Sequence, residues 1–133
     1  METPPGRLTS PRAARGGRRG QGDIGEDRAA GHILSRGWEL LARGWTCRAG
    51  ELDLVARHPD GMIVFLEVKS SFSAHSGDPG ERMTATKQRR VCKAATAWLL
   101  AHDTLDREAR FDLILIHPDD RIEHIEDAFS YLE

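Results

Sequence analysis

The residues best equipped for chemistry in this 133-residue chain are Asp53, Glu67 and Lys69. Period-two alternation puts Asp53 with Glu51 and Val55 on one face of a short apolar run, opposite Leu52, Leu54 and Ala56. In the next run it puts Glu67 and Lys69 on the face of Ile63 and Phe65, opposite Met62, Val64, Leu66 and Val68. If the two runs are neighbouring antiparallel strands, Asp53 comes beside Glu67. Two carboxylates about 4 Å apart repel by ~4 kcal/mol at an effective dielectric of about 20, a cost that a bound cation or a shared proton removes. Mg²⁺ fits this need, because it takes hard oxygen ligands and keeps several waters. Asp53, Glu67 and the carbonyl of Val68 are the expected protein ligands, with Mn²⁺ as the substitute ion. Lys69 lies about 7 Å past Glu67 on the same face, at ~3.4 Å of rise per residue, and brings its ammonium to the same place. Such a centre activates water and polarises a phosphate, while the lysine orients the nucleophile and offsets charge developing on phosphorus. The chemistry is phosphodiester hydrolysis.

A plainer alternative stands beside this one. For an isolated D…ExK pattern the commoner outcome is an aspartate capping a turn and an exposed Glu–Lys pair on an edge strand, worth ~0–1 kcal/mol. Here the residues before Glu67 are apolar on both faces, as in a strand covered on both sides. Glu26 shares a helix face with Ala30 and Ile33, which aims its carboxylate inward. Its rival role is the far end of a capping box begun by Asp23. Lys87 precedes Val91 by one turn on the buried stripe of a second helix, where it either contacts phosphate or snorkels. Arg89 and Arg90, off that stripe, complete the expected substrate-binding set. His32, His75, His102 and His117 show no ligand spacing and are expected at the surface.

The elements that must hold these groups follow from periodicity and turn chemistry. A helix over about 24–36 is capped by Asp23 and stopped by Gly37. Trp38–Cys47 and Leu52–Ala56 read as strands joined at the turn Arg48-Ala49-Gly50, and His58-Pro59-Asp60-Gly61 supplies the next turn. Met62–Ser70 reads as a central strand. Ser71–Arg82, rich in Ser, Gly, Asp and Pro, reads as a loop beside the centre. Thr84 to about Asp103 has helical spacing, with Val91, Ala95, Trp98 and His102 on one stripe. Phe111–Ile116 and a short Arg121–Ile125 complete the strands, with Ala128 and Phe129 packing back on the core. The order helix, three-strand meander, helix, two strands gives an α/β sandwich around a mixed sheet.

Composition sets the outer limits. An apolar fraction of 39% and a charged fraction of 30% are ordinary for a globular domain, and the length suits one core. No apolar stretch approaches the ~20 residues that cross a bilayer, so a membrane protein is not expected. Cys47 and Cys92 have neither zinc nor disulfide spacing, and the first residues lack the apolar core of a secretory signal. A cytoplasmic location is the expectation. The net charge of −2 is segregated: five arginines against Glu2 give residues 1–22 a charge of +4, leaving −6 for residues 23–133. The Arg/Gly/Pro-rich segment 1–22 is expected to be a disordered tail, either solubilising or adding salt-sensitive phosphate contacts, and 23–133 the folded domain.

With these residues placed, the chain resembles the bacterial YraN-like proteins. The resemblance rests on Gly25-Glu26 opening a helix, Gly50-Glu51-Leu52-Asp53-Leu54-Val55-Ala56, Val64-Phe65-Leu66-Glu67-Val68-Lys69, Lys87, and Arg110-Phe111-Asp112. It runs from about Asp23 to the C-terminus. It implies membership of the PD-(D/E)XK nuclease superfamily, similarity to archaeal Holliday-junction resolvases, and a restriction-endonuclease-like fold. Asp53, Glu67 and Lys69 would hold the signature positions, with Glu26 the helix-borne acid that joins the metal site. Thr46 and Ser71 are neutral where such proteins often carry basic residues, which weakens or rearranges the expected backbone contacts. The resulting expectation is a metal-dependent endonuclease of DNA, branched or single-stranded. The alternative is a catalytically idle nucleic-acid-binding or scaffolding module. RNA is equally compatible with a centre that reads phosphate and metal. Resolvase-like cutting of two symmetric strands favours a homodimer, although no residue marks an interface.

Overall fold

A computed structural model of the chain describes residues 21–70 and 83–131. The expected tail, apart from its last two residues, and the expected loop Ser71–Arg82 with His75 lie outside the described residues. The elements are α1 (Gln21–Ser35), β1 (Glu39–Cys47), β2 (Gly50–Arg57), β3 (Ile63–Ser70), α2 (Ala85–Ala101), β4 (Ala109–Ile116) and β5 (Ile122–Phe129). They form one five-stranded sheet in the order β1-β2-β3-β4-β5. β1, β2 and β3 run antiparallel, β3 and β4 run parallel, and β4 and β5 run antiparallel. The parallel step requires a crossover, which α2 provides. α1 covers one face and α2 the other, so the fold is the restriction-endonuclease-like α/β sandwich of three layers around a mixed sheet.

Two apolar clusters fill the spaces between layers. Under α2, Val91, Cys92, Ala95 and Trp98 pack on Val55, Phe65, Phe111, Leu113 and Leu115. Under α1, Ala29, Ala30 and Ile33 pack on Leu54, Ala56, Val64, Leu66 and Ile114. β3 contributes to both, which is why Ile63–Leu66 must be apolar without alternation. Burial of this central strand leaves no room for the edge-strand reading of Glu67 and Lys69.

Local chemistry fixes the ends of the helices. Gly37 takes φ 86°, its N–H donates to the Leu34 carbonyl and that of Trp38 donates to Ile33, a Schellman stop that glycine alone enters without strain. Thr84 caps α2 by accepting the Lys87 N–H at 3.1 Å.

Four expectations need correction. The first helix begins by Gln21, so Asp23 lies within its first turn rather than before it. Residues 21 and 22, assigned to the tail, are helical. Strand alternation fails across Asp53: Leu52 joins the α2-side cluster with Val55, whereas Leu54 and Ala56 join the α1 side. Between the pairs Arg43↔Leu54 and Trp45↔Leu52, β1 carries Gly44 at φ 63°, and the local geometry of the hairpin departs from a regular pleat there. The last strand is longer than Arg121–Ile125, running to Phe129, which stacks on Phe111 with ring centroids 5.0 Å apart. It continues through a register shift where Asp127 adopts φ 55° and donates its N–H to Asp112.

Candidate metal centre

The β2–β3 ladder runs from Arg57↔Ile63 to Leu54↔Leu66. One residue further, Asp53 substitutes for backbone: its Oδ2 accepts the N–H of Val68 at 2.8 Å. β3 meanwhile stays paired with β4 as far as Ser70↔Ile116. The sheet is therefore forked beside Asp53. A cleft of about 320 Å³ opens there, lined by Glu51, Asp53, Glu67, Val68 and Lys69 from the sheet and by Lys87 and Arg90 from α2.

Each expected residue can now be located. Asp53 and Glu67 face the same cleft, and Glu67 is only 6% exposed. Burial and the neighbouring Asp53 charge push the Glu67 carboxyl well above the ordinary glutamate range. Its Oε2 is buried and, among the described residues, has no hydrogen-bond partner. Lys69 is half-buried beside Lys87, and burial together with that second amine brings its pKa down to about 8. Lys87 and Arg90 line the cleft, whereas Arg89 is exposed and does not. Glu26 is buried on α1, and its Oε1 lies 3.8 Å from Arg43 Nε. Gly25 faces β3, where a Cβ would stand 2.8 Å from Ser70 Oγ and the serine hydroxyl would have to turn away.

Two residues that the sequence did not single out belong to the neighbourhood. Glu51, Glu26 and Asp53 each offer a carboxylate oxygen, and these lie within 4.8 Å of one another. Glu51 stands two residues before Asp53 on β2, and the packing of α1 brings Glu26 to both. Arg43 pairs with Glu26 and also with Asp27, and so returns positive charge to the acid cluster. Its position follows from the hairpin pairing Arg43↔Leu54, which the sequence alone leaves open.

The histidines are not simple surface residues. His32 and His117 are half-buried and hydrogen-bonded to His124 and Glu123. His102 stacks on Trp98 at 4.0 Å. For His32 and His117 the partners are polar groups on β5, invisible in the histidines' spacing, whereas His102 meets Trp98 one turn back on its own helix.

The donor set suits a hard divalent cation. All candidate ligands are oxygens, Glu51, Asp53, Glu67 and Val68 line one cleft with Glu26 adjoining the first two, and one of the oxygens is a buried carboxylate oxygen without a partner among the described residues. An unpaired buried carboxylate beside a second one is unfavourable by itself, and a cation reverses the sign of that interaction.

A family model described as "Uncharacterised protein family UPF0102" matches residues 25–116. A UPF0102 protein of Myxococcus xanthus is 43% identical over 122 residues, covering 90% of this chain and 96% of that one. A UPF0102 protein of Geobacter sulfurreducens is 46% identical over 111 residues, covering 80% and 85%. Among solved structures, the crystal structure of SSO0001 aligns at a TM-score of 0.42 and 18% identity, over 96% of this chain and 56% of that one.

Proposed function

Because the chain belongs to the UPF0102 family, part of the restriction-endonuclease-like superfamily, and because its fold gathers acids and lysines in one forked cleft, we propose that it is a metal-dependent endonuclease hydrolysing phosphodiester bonds of DNA. The observation that carries this reading is the buried Glu67 oxygen, without a hydrogen-bond partner among the described residues, in the cleft shared with Asp53 and Lys69. Asp53, Glu67 and the Val68 carbonyl would hold Mg²⁺ or Mn²⁺, with Glu26 adjoining. When bound, the ion supplies Lewis acidity toward the phosphate and lowers the pKa of water.

The chain's own groups do the rest. Lys87 and Arg90, on the α2 wall, hold the phosphodiester across the cleft from the acids. Lys69 donates a hydrogen bond that orients the attacking water and sets its positive charge against the charge growing on phosphorus. The water oxygen bonds to phosphorus as the P–O bond to the leaving nucleoside breaks; the proton lost by the water passes to solvent, and the leaving oxygen takes up a proton from solvent.

Supercoiled, linear, single-stranded and branched DNA incubated with Mg²⁺ or Mn²⁺ test the reading. Asp53→Ala and Lys69→Ala are expected to lower cleavage by at least ~10²-fold. Should both variants cut as well as the parent, the activity comes from a contaminant and the reading falls. The rival reading, a DNA-binding scaffold without turnover, draws on the net −6 of residues 23–133 and requires undiminished DNA binding in EDTA with no cleavage of any substrate.

A further inference from the structure

Every charged residue of α2 is a cation: Lys87, Arg89, Arg90 and Lys93, all in its N-terminal half. The helix dipole disfavours that placement, because the N-terminus is its positive end. The pairs Lys87–Arg90, Arg90–Lys93 and Arg89–Lys93, at spacings of three and four residues, also repel one another. No acid stands in the first turn to offset them. A second observation is independent of the helix. Among the described residues, Arg28, Arg36, Arg43, Arg57, Arg110 and Arg121 each pair with a carboxylate, whereas Arg48, Arg89, Arg90 and Lys93 are exposed and pair with none. In a domain of net −6, these cations cost stability and find no counter-charge within the described fold, which leaves them for an external anion.

The spacing makes that anion a chain of phosphates. Positions 87, 90 and 93 each step about 60° around the helix and ~4.5 Å along it, leading from the cleft that Lys87 and Arg90 line out to the solvent face. The β1–β2 turn joins them there. A Cβ at Gly50 would stand 3.7 Å from the Arg90 Cβ, so the turn that carries Arg48 lies against the same part of α2. From Lys87 to Lys93 the helix advances about 9 Å, the axial length of about two to three phosphates at ~3.4 Å per strand. Trp98, the aromatic residue of α2, is buried, so the helix offers no platform on which unpaired bases would stack. We propose that Arg48, Arg89 and Lys93 extend the Lys87–Arg90 wall of the cleft into a ridge that binds consecutive backbone phosphates of double-stranded DNA. The inference rests on the proposed function and names its substrate class: the bond that is cut lies beside a duplex arm, which the ridge holds without reading its sequence.

Fluorescence anisotropy of the full chain with a labelled blunt duplex, and with one of its strands alone, tests the ridge in EDTA, where nothing is cut. The parent is expected to hold the duplex more tightly than the single strand. The triple variant Arg48→Gln, Arg89→Gln, Lys93→Gln is expected to bind the duplex at least ~10-fold more weakly at about 0.1 M salt. Its slope of log K against log salt should flatten by about 2.7, near 0.9 for each cation removed. Without DNA at low salt the same variant is expected to melt above the parent, since it relieves the repulsion along α2. Lys93→Gln alone should flatten the slope by about 0.9 and decides the matter if the triple variant does not fold. Unchanged affinity and slope in both variants overturn the ridge, as does a single strand bound as tightly as the duplex. Weakened duplex binding in the variants, with no cleavage of any substrate by the parent in Mg²⁺ or Mn²⁺, sustains the ridge and overturns the endonuclease reading alone.

Discussion

A glutamate buried beside an aspartate, as Glu67 is beside Asp53, is a charge held against the stability of the metal-free protein. Its folded pKa is raised well above the ordinary value of 4.5, so its contribution is present below 4.5 and is lost as pH rises through the folded value. Glu67→Gln removes that loss. In EDTA at neutral pH the variant is expected to melt several degrees above the parent, at about 3–6 °C per kcal/mol for a domain of this size. Saturating Mg²⁺ is expected to invert the order, because the parent gains the free energy of binding and the variant gains less. Scanning calorimetry with and without metal checks this; a variant that melts below the parent in EDTA would show that Glu67 is satisfied as it stands. The same tension shows why a carboxylate sits where packing alone would favour an apolar side chain.

Between elements, two aspartates do parallel work. Asp53 takes the Val68 N–H where β2 and β3 part, and Asp112 takes the Asp127 N–H where β5 shifts register. Each lets a strand depart from regular pairing without leaving a buried N–H unsatisfied. Asp112 anchors more than this: it also accepts from Arg110 at 2.7 and 2.9 Å and from His124 at 2.8 Å, and His124 meets His32 of α1 at 3.2 Å. Burial alone would raise the Asp112 carboxyl, but the hydrogen bonds of His124, Arg110 and the Asp127 backbone outweigh it and hold it below 3.8. Burial, His124 and Arg36 hold His32 below its ordinary 6.5. Both contributions are present above the ordinary pKa and lost as pH falls through the folded value. Stability is therefore expected to decline in two windows, one beginning below 6.5 and one below 3.8. In His32→Gln the upper decline should flatten while the lower remains. Denaturant midpoints across pH measure both slopes, and an unchanged upper slope would remove His32 from the account. Since α1 also carries Glu26, loosening the His32–His124 pair is expected to weaken metal binding along with the fold.

Over the whole molecule, charge is divided rather than spread. Residues 23–133 carry −6, while the five arginines of residues 1–22 give +4 after Glu2. A cleft lined by Glu51, Asp53 and Glu67 does not attract a polyanion by its acids, and cations along the path to it must do so. Deleting residues 1–20 is expected to weaken DNA binding without abolishing metal binding. The slope of log K against log salt should flatten by up to about 4, near 0.9 for each phosphate that the arginines neutralise. Fluorescence anisotropy at several salt concentrations checks it; an unchanged slope would exclude the arginines from DNA binding. Among the described residues no helix is long and apolar enough to cross a membrane.

The sequence by itself determined the layers and the centre of the sheet. Continuous apolar character over Ile63–Leu66 requires cover on both faces, and Gly37 and Thr84 mark helix ends through their own backbone and hydroxyl chemistry. It also placed Asp53, Glu67 and Lys69 near one another, because period two sets Glu67 with Lys69 and the hairpin brings Asp53 alongside. Tertiary structure decided what lies across gaps that local pattern does not reach. The packing of α1 on the sheet brings Glu26 to Glu51 and Asp53, the β1 pairing brings Arg43 beside them, and Asp112 sustains β5 past its register shift. Those contacts join residues far apart in the chain, and only the packing of helix on sheet selects them.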